Sequence, residues 1–192
     1  MENKIAIPKG KKVYFASDNH LGAPNINESK IRESHFLKWL NYVDKDVGAL
    51  FLLGDLFDFW YEYKTVVPKG FVRVLGKIAE ISDRGIPVYF FVGNHDQWMI
   101  NYFEEELGIK VYYQTREFQI EGNTFFIGHG DGLGPNDIGY KIMKKIFRNS
   151  IFQTMFRWIH PDIGMKIGHY FSVKNKIISG KRNEKLQKEE NN

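Results

Sequence analysis

The chain has 192 residues with 43% hydrophobic content, enough for one domain with a sizeable core. It contains no cysteine, which excludes disulfides, thiolate zinc sites and cysteine nucleophiles and suits a reducing cytoplasm. The formal net charge is only +4, but the excess Lys and Arg is concentrated in residues 141–185, where an acidic partner is expected. The N-terminus MENKIAIPKGKKVYF has no apolar stretch before a cleavage site, so no signal peptide is read. No run of 18 or more apolar residues exists, so no membrane span is expected.

In chain order, three short apolar runs end in turn residues: KVYFAS (12–17), GALFLLGD (48–55) and PVYFFVGN (87–94). Such runs predict buried strands, often parallel. Between the first two, Ile31, Leu37, Leu40 and Val43 recur at helical spacing over 28–46. Between the second and third, Phe71, Leu75, Ile78 and Ile81 do so over 69–83, closed by DRGIP. The order β-α-β-α-β predicts a layered α/β fold. A third helix is expected over 97–107, ended by Gly108, and then a β-rich stretch over 111–130 with a hairpin turn at EGN (121–123). Residues 138–171 mix Ile, Met, Phe and Trp with cations and predict two or three short amphipathic helices. The end, GKRNEKLQKEENN, is polar and is expected to fray. The organisation read from this is a core over 1–135, a helical segment over 136–180 and a polar tail over 181–192.

Each apolar run ends in groups able to ligate a metal. The first gives Asp18 and His20, the second Asp55 and Asp58, the third Asn94, His95 and Asp96, and a later run His129 and Asp131. In an open α/β sheet the carboxyl ends of parallel strands line one crevice, so four strand ends can converge. Carboxylate, imidazole and amide donors together suit manganese, iron or zinc. Two such cations with a bridging carboxylate would activate a water and offset phosphate charge. Taken singly, each motif has an ordinary structural alternative: Asp18 as a turn cap, Gly54-Asp55 as a turn, Asn94–Asp96 as a helix cap.

Taken in order, D-x-H (18–20), G-D-x-x-D (54–58), G-N-H-D (93–96) and G-H (128–129) resemble the calcineurin-like metallophosphoesterases over about residues 12–131. The resemblance implies a four-layer α-β-β-α sandwich with a helical lid insertion. It implies two divalent metal ions, most often Mn2+. Asp18 and His20 would hold the first, Asp55 would bridge, and Asn94 and His129 would hold the second. His95 would face the scissile phosphate as a catalytic residue, oriented by Asp58. Within the family, SDNHLG…GDLFDFW…GNHD…GHGDGLG is closest to the branch that cleaves the pyrophosphate of UDP-2,3-diacylglucosamine, giving UMP and 2,3-diacylglucosamine 1-phosphate in lipid A synthesis. That implies substrate contacts from Asn94, His95, Asp137, Tyr140 and Lys141. It also implies a cytoplasmic enzyme, peripheral on the inner face of a Gram-negative inner membrane, with no nucleic-acid partner.

The aromatic residues Phe147, Phe152, Phe156 and Trp158 fit an acyl-chain lid or an anionic membrane surface, and equally an ordinary helix core. His160 and His169 read as structural. Two departures stand out. Many proteobacterial members of that branch carry arginine where His95 stands. The family's last motif, G-H-x-H, is not found, since GHYF (168–171) lacks the second histidine. The sandwich is therefore expected to be incomplete at its C-terminus, with an unpaired sheet edge. Two rival functions remain at this level: another dinuclear-metal phosphodiesterase or nuclease, and an inactive lipid-binding module.

Overall fold

The computed structural model describes residues 3–131, 145, 147 and 149–173. Strand β1 (Lys4–Ile5) is followed by β2 (Lys12–Ala16), α1 (Ile26–Val43), β3 (Val47–Leu52), α2 (Val72–Asp83) and β4 (Val88–Phe91). Then come α3 (Tyr102–Leu107), β5 (Lys110–Tyr112), β6 (Arg116–Ile120), β7 (Asn123–Ile127) and α4 (Ser150–Arg157). Residues 161–173 are also helical. The expected β-α-β-α-β order is that of β2 to β4.

Strands β2-β3-β4-β5 form one sheet in that order, every pair parallel. Strands β1-β6-β7 form a second, with β1 parallel to β6 and β6 antiparallel to β7. All of β3 is buried, which explains its unbroken apolar sequence. Its side chains alternate between two cores, as the period of a strand requires. Leu50 and Leu52 pack with Leu40, Val43, Val74, Ile78, Ile81 and Phe103 of the helices. Ala49 and Phe51 pack with Phe91 and Tyr112 against Ile5, Phe118, Ile120 and Ile127 of the second sheet. Helices α1 to α3 thus lie on one face of the parallel sheet and the second sheet lies on the other. Among the described residues no helix covers the far side of the second sheet, where Phe126 is exposed.

Four local outcomes differ from the sequence expectation or sharpen it. In α1 the buried positions are Ser29, Phe36, Leu40 and Val43, while Ile31 is exposed. Two residues along a helix turn the side chain by about 200°, so Ser29 and Ile31 cannot share a face. Helix α3 starts at Tyr102 rather than 97, because the buried Glu62 carboxylate accepts from the amides of Asn101 (2.8 Å) and Tyr102 (3.1 Å) and fixes the first turn there. Strand β5 joins the parallel sheet beside β4 instead of opening a separate β-rich half. The EGN turn is a two-residue hairpin: Ile120 pairs with Asn123, and Glu121 and Gly122 both have positive φ, matching the right-handed twist of the strands.

Candidate metal centre

Each expected ligand loop leaves the carboxyl end of its strand. The loop after β2 carries Asp18 and His20, that after β3 carries Asp55 and Asp58, that after β4 carries Asn94 and His95, and that after β7 carries His129. The loops are tied to one another by main-chain bonds. The amides of Asp18, His20 and Leu21 donate to the carbonyls of Gly54 (3.1 Å), Asp55 (2.9 Å) and Leu56 (2.9 Å). Asp58 N returns a bond to Leu21 O at 2.8 Å. These ties hold Asp18 (φ 57), His20 (φ 45) and Asp55 (φ 51) in the left-handed region, which costs a non-glycine residue on the order of 1 kcal/mol or more. Three such residues among the candidate ligands mark a backbone shaped by the site.

Two glycines permit the approach of the loops. A Cβ on Gly54 would lie 2.7 Å from Gly93 N, and one on Gly93 would lie 2.2 Å from Asp55 Oδ1. Neither position has room for a methyl group. Asp96 locks the same junction from behind: it is fully buried, and accepts from Gly93 N (2.7 Å) and Leu56 N (3.0 Å). Burial, reinforced by the Asp55 charge, raises the Asp96 carboxyl to about 7 against those two bonds. The sequence marks Asp96 as one more metal-capable residue, but its carboxylate is spent on backbone.

Six side chains converge in front of this junction. Asp18, Asp55 and His129 each offer a donor atom within 4.8 Å of the others, and so do His20, Asp58 and His95. Asp55 Oδ2 faces both groups, 3.5 Å from His129 Nε2 and 3.8 Å from His20 Nε2. Its other oxygen accepts from the His95 amide at 2.8 Å. His129 Nδ1 lies 2.7 Å from the Leu53 carbonyl, which can only accept. The Nδ1 proton is thereby fixed and Nε2 is turned inward, 3.2 Å from Asn94 Oδ1. His95 Nδ1 is held the same way by the Asp58 main-chain carbonyl at 2.8 Å, whereas the Asp58 carboxylate is 3.9 Å away.

The electrostatics fit a cation. Burial pulls the His129 imidazole down, but the Asp55 hydrogen bond and charge outweigh it and push it up to about 9. Burial would likewise raise Asp55, yet the bond from His129 and the charges of His95 and His129 hold it below the usual carboxylate range. A proton on Nε2 therefore answers the acceptors Asn94 Oδ1 and Asp55 Oδ2 in the metal-free chain. Mixed oxygen and nitrogen donors that share positive charge in this way suit a divalent transition metal at the same spot.

Other expected residues fall elsewhere. Asp137, Tyr140 and Lys141 lie outside the described residues. His160 is exposed beside Asp162. His169 comes within 3.8 Å of Asp58 Oδ2, and Ser172 Oγ donates to that oxygen at 2.7 Å. His169 belongs to the GHYF segment that reads as structural, and Ser172 lies in no motif, so the sequence offered no signal for the Ser172 contact. The helices that bring them are seated on chain that closely follows Asp58 and His95. Tyr61 and Trp98 pack on Phe156, with Phe59, Tyr63, Phe147, Ile159 and Ile167 around them. Tyr61 Oη donates to Gln153 O (2.7 Å) and Trp98 Nε1 to Phe147 O (2.6 Å). Phe156 is thus core, while Trp158 is 88% exposed.

Residues 11–184 match the family of calcineurin-like phosphoesterases. The chain belongs to that family. The metallophosphoesterase is 36% identical over 172 residues to a UDP-2,3-diacylglucosamine hydrolase of Porphyromonas gingivalis, covering 89% of this chain and 66% of that protein. It is 27% identical to a protein of the same name from Actinobacillus succinogenes, covering 85% of this chain and 68% of the relative. The chain spans about two thirds of the length of these relatives. A solved structure of a protein of unknown function from Aquifex aeolicus aligns at 18% identity with a TM-score of 0.43, covering 78% of this chain and 74% of that one. Among the described residues of the phosphoesterase no helix is long and apolar enough to cross a membrane.

Proposed function

We propose that the chain carries the catalytic half-site of a dinuclear-metal phosphoesterase that cleaves the pyrophosphate of UDP-2,3-diacylglucosamine, releasing UMP and 2,3-diacylglucosamine 1-phosphate. The observation that carries this is the meeting of Asp18, His20, Asp55, Asn94 and His129 in one crevice, with Asp55 Oδ2 facing the histidines of both donor groups. In this reading Asp18 and His20 hold one metal, Asn94 and His129 the other, and Asp55 lies between them. When bound, the metals, manganese being our choice, supply Lewis acidity for the phosphate oxygens and a water acidic enough to act as nucleophile near neutral pH. The chain's own residues do the rest. Asp96, Gly54 and Gly93 hold two ligand loops at van der Waals distance. His95, its Nδ1 tied to the Asp58 carbonyl, keeps Nε2 for the phosphate and can hold or give a proton at the leaving oxygen.

The names of the relatives support the lipid substrate, and so does the chemistry of the helical segment. Ile151, Met155 and Trp158 are exposed around Arg157 on and after α4. Such a face suits acyl chains or the cytoplasmic surface of an inner membrane. Asn94, His95, Asp137, Tyr140 and Lys141 are our candidates for contacts to the substrate. The test is UMP release from UDP-2,3-diacylglucosamine by the Mn2+-loaded chain, beside hydrolysis of an oligonucleotide and of a simple aryl phosphodiester. UMP release with intact oligonucleotide supports the reading. Cleavage of the diester or oligonucleotide without UMP release replaces it with a general phosphodiesterase.

A further inference from the structure

Helix 161–173 buries one line of residues against the core, with Ile167 packed beside it. Its buried positions Gly164, Gly168 and Ser172 are spaced by four and so share one face. A Cβ on Gly164 would come within 2.2 Å of Tyr63 Oη, and one on Gly168 within 2.4 Å of the Phe59 ring. The two glycines let the helix backbone rest directly on the 59–63 segment. The third position of the stripe is polar. Ser172 is 5% exposed and its hydroxyl donates to Asp58 Oδ2 at 2.7 Å. Asp58 is 2% exposed, and its other oxygen, Oδ1, is 3.7 Å from His20 Nδ1 and 3.9 Å from His95 Nδ1.

A hydrogen bond to one oxygen of a buried carboxylate favours one orientation of the group about its last bond. We propose that Ser172 is a positioning residue for the metal centre: by holding Asp58 Oδ2 it turns Asp58 Oδ1 toward His20 and His95, so that the seating of helix 161–173 is read at the ligands. This rests on the metallophosphoesterase reading given above. The glycine stripe sets how close the helix comes, and the hydroxyl converts that closeness into a fixed carboxylate. His169, one turn earlier, sits 3.8 Å from the same oxygen, so that it and Ser172 both face Oδ2 while His20 and His95 face Oδ1.

The experiment uses the full chain and compares wild type with Ser172→Ala and Ser172→Thr. Imidazole resonances are recorded in the metal-free protein, and Mn2+ affinity is measured by calorimetry. In Ser172→Ala the His20 and His95 resonances are expected to move, with those of the exposed His35 and His160 unchanged. Mn2+ affinity is expected to fall about tenfold, as for loss of a group that orients a ligand, and Ser172→Thr restores both. Unmoved His20 and His95 resonances overturn the proposal. So does an equal loss of affinity and Tm in both variants, which would mark Ser172 as packing only. A wild-type chain that binds no Mn2+ defeats the metal reading of the site, and the imidazole comparison then still decides this one.

Discussion

His129 Nε2 stands 3.2 Å from Asn94 Oδ1, while the other ring nitrogen is committed to the Leu53 carbonyl. Two inward-facing acceptors at that distance call for a positive charge, and in the metal-free chain it is a proton, since the Asp55 hydrogen bond and charge push the imidazole up to about 9 against its burial. A metal ion arriving at Nε2 must displace it. Close to one proton should be released per His129 site at pH 7.5, and affinity should rise by up to about tenfold per pH unit between 7 and 9. Calorimetry of Mn2+ binding in buffers of differing ionisation heat measures this, and identical heats in all buffers would contradict it. The same group sets a sign for stability. A pKa raised from 6.5 to about 9 contributes stability that is complete below 6.5 and lost as pH climbs through 9. Asp96, raised from 3.8 to about 7, acts in the same direction at lower pH. The Tm of the metal-free chain should therefore fall from pH 6 to 9, and saturating Mn2+ should flatten that fall.

Asp96 satisfies two buried amides, Gly93 N and Leu56 N. Asp96→Ala orphans both, at a cost of about 3 kcal/mol, which in a domain of this size lowers Tm by about 6–12 °C. Asp96→Asn keeps one carbonyl acceptor and should lose less. Equal Tm values for the alanine variant and wild type would remove the clamp role.

Gly93→Ala pushes a methyl to within 2.2 Å of Asp55 Oδ1. Overpacking of this kind costs about 1–3 kcal/mol. Because the displaced group is the proposed bridging carboxylate, metal binding should suffer more than folding does, with Mn2+ affinity reduced about tenfold or further. Elemental analysis after Mn2+ loading, beside circular dichroism, separates the two effects.

His95 and His129 should part company on mutation. His95→Ala is expected to keep its metal content and to lower kcat about 100-fold or more, as befits a proton-handling group. His129→Ala is expected to lose metal first. A His95→Ala chain that no longer holds Mn2+ would instead make His95 a ligand, in line with its proximity to His20 and Asp58.

Trp98 is the hub of the helical seat, with ring centroids 5.0 Å from Tyr61 and 4.6 Å from Phe156. Trp98→Ala should cost about 3–5 kcal/mol and expose the 150–173 segment to protease before the parallel sheet yields. Simultaneous digestion of both parts would show that the helices hold by other contacts.

Much of this was legible in the sequence because it is local. The buried strands announced themselves as short apolar runs, the helices by spacing, and the candidate ligands, which the fold brings together, by their position at strand ends beside glycines. What was not legible is long-range. Glu62 fixes the start of α3 from 40 residues away, and Ser172 reaches Asp58 across 114. Neither has a neighbour in sequence that hints at its partner. Ile31 misled because its apolar character was real while its helical phase was wrong: Phe36, Leu40 and Val43 set the buried face. Asp96 could not be told from a ligand, since a carboxylate that accepts backbone amides and one that awaits a cation look the same as a letter.

The seat for the helices is made of Phe59, Tyr61, Tyr63 and Trp98, which follow Asp58 and His95 closely in the chain. What the helices grip is therefore within five residues of Asp58 or His95 in the chain. Mutations that refit one should seldom be neutral for the other, so preference for a new ligand would evolve through compensating pairs rather than single steps.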